Sequence, residues 1–466
     1  MKSISGTRRD LLLGTTAAIA TSGIPKFIAG SANAQGTIRK RRNIESVSAT
    51  ELQAYEHAIK IVKDRSTANP DDPDGYQFWA SYHDNFDESI HSGCAHFSEK
   101  FFPWHRRYLA DFEALLQKTD PPVTSNVMVP YWDWTRPPTV GQHFPQAFER
   151  TASPLFDRRL AITPPPWDPA DILNLIQEPD WGIFAGKPDP SNGFGNSPGS
   201  IESGPHNTLH TDISRHMRNP DTAVQDPIFW SFHAGIDLVW ARWQRLHVPS
   251  GTAQSFGDPA ALIFFRDRSF TVASTARTTD FNYEYDYDFS PDGPPAPVAA
   301  APVVGMVPAM MITAPAKRSV KLDVAAGSAD EITAQLPAGG TPPNSVVLRL
   351  GDVRVFHDKS YRLNLYLHPQ DVKLASLDPK ARGDLLLRTV TLWRAHHDGK
   401  VEIFIRPTAA QLATLTKGWI ITVQSEAVES DTEVPPGAAQ MAMPSTATAP
   451  LPATSHLLQT LEFEER

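Results

Sequence analysis

The chain has 466 residues, a formal net charge of −9 and a single cysteine. A mildly acidic chain whose one basic run is "IRKRRN" at 38–43 carries no electrostatic footprint for nucleic acid. One thiol excludes an intramolecular disulfide, so core packing, metal or another crosslink must hold the fold, and the length points to two or three domains.

In chain order, the first signal is "MKSISGTRRDLLLGTTAAIATSGIPKFIAGSANAQG", where Arg8 and Arg9 precede an apolar run from Leu11 to Ile19 and a small-residue stop at Ala32, Asn33 and Ala34. This reads as a twin-arginine export signal over 1–34, giving a periplasmic or secreted product. No later stretch reaches the ~18 uninterrupted apolar residues of a membrane span. The basic run that follows reads as a flexible, solvated tail.

From Ser48 a capping box (Ser48, Glu51) opens an amphipathic helix with apolar positions at Leu52, Tyr55, Ala58, Ile59 and Val62. Helical patterns recur over 74–86, 103–118, 206–217 and 227–246, with Pro103 near the start of the second, and long Pro-, Asp- and Gly-rich loops separate them, as at 136–200. A Pro/Ala-rich linker over 293–316 closes this helical domain, 35–292. Beyond it "SVVLRLGDVRVF", "YRLNLYLHP" and "KVEIFIRP" alternate apolar and polar residues, predicting an all-β sandwich over 317–426. The remainder, 427–466, reads as a low-complexity tail with a weakly helical end at "HLLQTLEFEER". The expected fold is therefore mainly α, a helical bundle with long loops, followed by an all-β sandwich domain.

Sixteen histidines are spread over the chain, and six fall into two groups in the helical domain. His83, His96 and His105 form the first group. In the second, "SGPHNTLHTDI" puts His206 and His210 four apart on one helical face, with His233 on the following helix and Asp237 one turn further on. Three imidazoles per group suit copper, zinc, iron or nickel, and spacing alone does not choose among them. His357, His368, His396 and His397 in the β domain read as ordinary surface or core residues.

The stretches "FFPWHRRYLADFE", "VPYWDW", "IESGPHNTLH" and "DPIFWSFHAGIDLVW" resemble, in order over 48–246, the two copper-binding motifs and core signatures of the tyrosinase, catechol oxidase and molluscan haemocyanin superfamily. The resemblance implies a coupled type 3 pair of copper ions with dioxygen as co-substrate, His83, His96 and His105 binding the first copper and His206, His210 and His233 the second. His91 in "SIHSGC" is the alternative first ligand. It also implies a thioether between Cys94 and His96, since Cys94-Ala95-His96 matches the Cys-x-His of fungal and molluscan members. Phe229 matches an aromatic that packs on copper-site imidazoles, and Glu202 and Asn207 match a pair holding an ordered water that acts as base toward monophenols. Asp237 and Arg106 take supporting or structural ion-pair roles. The departure is Phe232-His233, where the family has His-His.

The implied activity is oxidation of o-diphenols, and of monophenols where the base operates, to o-quinones. A dioxygen carrier of haemocyanin type is the alternative. Small phenols and a copper-delivery helper are the expected partners. The β domain resembles, in position, the C-terminal domain that covers the copper pocket in latent plant and fungal enzymes.

Overall fold

A computed structural model describes residues 38–465 apart from 85–93, 160–166, 189–196, 287–318, 336–345, 412–418, 429–450 and shorter runs between them. The signal at 1–34, the linker at 293–316 and His91 lie outside the described residues.

The basic run corrects the sequence expectation at once. Arg39–Arg41 forms strand β1, paired in parallel with Tyr283–Tyr285. Strand alternation turns Lys40 outward to an exposed pair with Glu284 and Arg41 inward. Arg41 is fully buried: Nε and Nη2 donate to the two Glu113 oxygens at 2.8 Å, Nη1 donates to Asp237 at 3.0 Å, and the Tyr283 ring lies 3.6 Å from the guanidinium. A bidentate carboxylate and an aromatic face compensate the guanidinium for lost water, which a solvated tail would never need.

Helix α1 (Ala49–Ala68) begins with the expected capping box and buries Tyr55, Ala58, Ile59 and Val62. Then come α2 (Tyr76–Asp84) and α3 (Phe101–Thr119). α3 starts earlier than expected, leaving Pro103 in its first turn, where a missing N–H costs no helical bond. The short helices α4 (Pro121–Thr124), α5 (Gln146–Glu149), α6 (Pro169–Ile176) and α7 (Trp181–Phe184) punctuate the long loops. A π-helical turn, Glu202–His206, with Gly204 off helical geometry and Pro205 inside it, feeds α8 (Asn207–Ile213). Helix α9 (Ile228–His247) packs on α3, with Phe112 and Trp230 stacked at 3.6 Å and Arg106 donating to Asp237 at 2.6 Å.

A hairpin, β2 (Leu262–Phe265) and β3 (Arg268–Thr271), precedes β4 (Tyr283–Tyr285). The C-terminal region holds β5 (Ser319–Lys321), β6 (Val324–Ala326), β7 (Glu331–Gln335), β8 (Val346–Val355), β9 (Tyr361–Pro369), β10 (Leu386–Leu392), β11 (Gly399–Ile405), β12 (Trp419–Ala427) and β13 (Thr460–Glu465). One sheet is ordered β10-β9-β12-β7-β6 and the other β11-β8-β13-β5, and residues of both sheets join one hydrophobic core. The end of the chain is thus no weakly helical tail. Only Thr454–Leu457 makes a turn of helix; β13 then inserts antiparallel to β8 and β5, because "TLEFE" alternates with the period of a strand.

Residues 38–466 form one compact unit in which the two cores exchange a residue: Trp393, just after β10, sits in the helical core, and Phe97, just after His96, sits in the β core. Among the described residues no helix is long and apolar enough to cross a membrane.

Arg41→Met leaves Glu113 without its buried cation and takes one of the two arginines from Asp237, which keeps Arg106, and it is expected to lower unfolding free energy by about 3–5 kcal/mol in denaturant titration. Lys40→Met, at the exposed neighbouring pair, is expected to change it by less than about 1 kcal/mol.

Candidate metal centre

Two histidines are aimed by the helices that carry them. On α3 the Nδ1 of His105 lies 2.8 Å from the Phe101 carbonyl, and on α9 the Nδ1 of His233 lies 3.0 Å from the Phe229 carbonyl, each one turn earlier. Both local sequences read Phe-x-x-x-His, and each phenylalanine ring packs on its own histidine, at 4.7 and 3.9 Å between centroids. Loops and side chains aim the other four. The Nδ1 of His83 meets the Pro220 carbonyl at 2.9 Å and that of His210 the Met217 carbonyl at 2.8 Å. The Nδ1 of His96 meets Glu202 Oε1 at 2.9 Å and that of His206 meets Asn207 Oδ1 at 2.8 Å.

Every Nδ1 faces an oxygen acceptor, so the proton belongs on Nδ1 and the Nε2 lone pair turns inward. The first three rings have centroids 5.5 to 6.0 Å apart and the second three 4.5 to 5.3 Å. His105 and His233 join the groups, nearly parallel at 4.6 Å, and His96 and His206 lie 5.3 Å apart. Burial above all, together with the neighbouring imidazoles, holds His83, His105, His206, His210 and His233 well below the ordinary histidine pKa. These imidazoles are neutral.

The donor set fits bound cations. Nε2 of His206 and of His233 face each other at 3.2 Å, two lone pairs with no proton between them. The buried Nε2 atoms of His83 and His210 have no hydrogen-bond partner, a costly arrangement for protein alone. The 3.2 Å separation is that of two ligands sharing one metal at bonds of about 2 Å. His83, Cys94, His96 and His105 bring their ligand atoms within 4.8 Å of one another, as do His105, His206 and His233.

Cys94 is buried, its Sγ 3.3 Å from His105 Nε2. Glu202 Oε1 accepts from His96 Nδ1 and, at 2.7 Å, from the Phe97 N–H, while Oε2 is buried with no hydrogen-bond partner. Burial raises the Glu202 pKa well above its ordinary value. Asn207 gives its Oδ1 to His206 and donates from Nδ2 to the Thr391 carbonyl at 2.9 Å. Glu202 and Asn207 therefore each hold an imidazole of a different group. Asp237 and Arg106 lie behind the site, Asp237 also accepting from Tyr283 and Tyr285 at 2.5 and 2.7 Å. Phe232 lies along His206 and presents itself edge-on to His210 at 5.2 Å. His357 is exposed, His368 is buried against Thr422, and His396 and His397 lie outside the described residues.

Trp393 was not singled out from the sequence. Its ring stacks on His210 at 4.0 Å and 15°, lies 5.5 Å from His96 and 5.8 Å from His206, and its Nε1 donates to the Arg218 carbonyl at 2.6 Å. It reaches the site from a strand end in another sheet system, and the alternation of "LLLRTVTLWRA" carries no trace of that destination. The carbonyls of Pro220 and Met217 were equally silent, because loop conformation alone points them inward.

Residues 73–165 and 162–246 match the family model described as the common central domain of tyrosinase. The tyrosinase HcTyr1 of Hahella sp. (strain CCB-MM4) is 26% identical over 258 residues, 44% of this chain and 53% of the relative, so the chain aligns with about half of that protein's length. The latent apple tyrosinase structure superposes with a TM-score of 0.64 at 19% identity, covering 85% of this chain and 96% of that one. A functional unit of octopus haemocyanin superposes at 0.55 and 16% identity, covering 92% and 100%. At these identities the two structures speak for the fold.

Trp393→Ala is expected to uncover His210. In metal-free protein, diethyl pyrocarbonate followed by peptide mass mapping should find His210 protected in the wild type and modified in the variant, with a stability loss of about 3–5 kcal/mol from the vacated ring.

Proposed function

Because this chain belongs to the tyrosinase family of type 3 copper proteins, we propose that it oxidises o-diphenols to o-quinones with dioxygen, using a copper pair held by His83, His96 and His105 on one side and His206, His210 and His233 on the other. The observation that carries this reading is the outward bonding of all six Nδ1 atoms around converging Nε2 atoms. Bound there, the copper pair supplies the redox chemistry that moves two electrons from a catechol to dioxygen. The chain contributes neutral, pre-aimed ligands, so little reorganisation accompanies electron transfer. Phe229, stacked on His233 and edge-on to His83, keeps water from the ligands.

For monophenols the chain must also take a proton from a group of pKa about 10. We assign that role to Glu202 Oε2, acting through a water shared with Asn207; the support is a buried carboxylate oxygen without a hydrogen-bond partner beside the ligands. A thioether from Cys94 Sγ to a carbon of the His96 ring, formed by loss of the S–H and ring C–H hydrogens with dioxygen as the two-electron oxidant, would fix that imidazole and protect the thiol, and it predicts an intact mass lower by two hydrogens than the sequence mass. An unchanged mass removes it. We place the protein outside the cytoplasm, carried by the signal at 1–34.

The β region is proposed to shield the site through Trp393. A closed pocket also suits a dioxygen carrier, and turnover separates the two readings. Copper-loaded protein should hold two coppers per chain, be silent in electron paramagnetic resonance, and consume oxygen while oxidising 4-methylcatechol. Reversible oxygen uptake without quinone would favour the carrier, and failure to bind a copper pair would remove both. Trp393→Ala should raise catechol turnover several-fold over wild type; equal turnover would end the shielding proposal.

A further inference from the structure

The residue after His96 has an unusual backbone. Phe97 has φ of 56°, the left-handed region, which is an outlier for a bulky side chain and costs of order 1–3 kcal/mol unless its surroundings enforce it. Three contacts do so. Its N–H donates to Glu202 Oε1 at 2.7 Å, its carbonyl accepts from the Ser197 N–H at 2.9 Å, and its ring is buried in the hydrophobic core of the β region with Leu348, Leu350 and Val353. Glu202 Oε1 is also the acceptor for His96 Nδ1. One carboxylate oxygen therefore ties together a first-group ligand and a backbone N–H whose direction depends on a side chain seated in the other region.

We propose that Phe97 is a positioning residue through which the β region holds His96, so that the region retains the first copper as well as covering the site. With the ring seated, the left-handed turn keeps the Phe97 N–H and His96 Nδ1 converged on Glu202. Once the ring is unseated, residue 97 relaxes to an ordinary conformation, Glu202 loses one of its two donors, and His96 is no longer aimed. The second group is held differently, through Asn207 and the Met217 and Phe229 carbonyls, so the effect falls on the first copper alone.

The inference rests on the copper-pair reading above. The test challenges full-length, copper-loaded protein with a chelator and follows copper per chain and the paramagnetic resonance signal, with the melting temperature of metal-free protein measured alongside. Wild type is expected to keep both coppers and stay silent. Phe97→Ala is expected to release the first copper roughly tenfold or more faster, leaving one copper per chain with a visible signal. Phe97→Leu, which keeps an apolar anchor, should restore retention.

If Phe97→Ala does not fold, Phe97→Gly carries the test. Glycine accepts the left-handed backbone without strain but lacks the anchor, so it should also lose the first copper. A variant that keeps both coppers as wild type does, or sheds both together with a lowered metal-free melting temperature, overturns the role of Phe97. A wild-type chain that binds no copper pair overturns instead the reading beneath it.

Discussion

Six imidazoles in one dry pocket are tolerable only if none carries a charge and each proton has somewhere to go. The six outward Nδ1 bonds meet that condition, and the surrounding architecture follows from it. Two acceptors are helix carbonyls one turn back, available wherever histidine follows phenylalanine by four on α3 and α9. Two are the carbonyls of Pro220 and of Met217, the latter in a 3-10 turn (Arg215–Arg218) that follows α8. Two are the side chains of Glu202 and Asn207, at the start of the π-helical turn and just beyond it, and this irregular geometry lets neighbouring residues serve imidazoles of different groups. Convergence of the Nε2 atoms is then a consequence of where the other nitrogens are satisfied.

Behind the histidines stands a second constraint. α3 and α9 each carry one histidine of the closest inter-group pair, and their relative position is fixed by charges that cannot be left alone. Asp237 on α9 faces Arg106 and Arg41, and Glu113 on α3 faces Arg41. Arg41 lies in the first strand of the described residues, so β1 completes the fold around the histidine cluster. A buried ion pair is weak evidence for net stability, but losing one partner is strongly unfavourable, which makes this network a determinant of helix register.

Local rules made α1 legible from Ser48 and Glu51, and helical spacing identified the helices that carry His83, His105, His206, His210 and His233. What stayed hidden depends on tertiary partners. Charge count made Arg41 a tail residue because nothing near it in sequence announces Glu113, 72 positions away. Low complexity over 427–450 obscured the strand Thr460–Glu465, whose alternation is short and whose partner β8 lies more than a hundred residues earlier in the chain. The motif around Cys94 suggested His96 as a ligand but gave no hint that Phe97 would adopt a left-handed backbone, since phenylalanine is among the last residues one would place there.

The exchange of Trp393 and Phe97 bears on how such a site could open. A lid on a hinge swings away from a surface it merely touches; here each region has a large aromatic seated in the core of the other. Two buried aromatics together represent roughly 3–6 kcal/mol of apolar burial. Further contacts run between the regions, with Arg362 paired to Asp212, Arg406 to Glu178, and Thr391 bonded to Asn207 and Thr208. Cutting a covalent connection between the regions removes none of these contacts. Opening therefore requires the interface itself to separate, and because Trp393 stacks on His210 while Phe97 follows His96, such a separation takes away the packing beside both histidine groups at once.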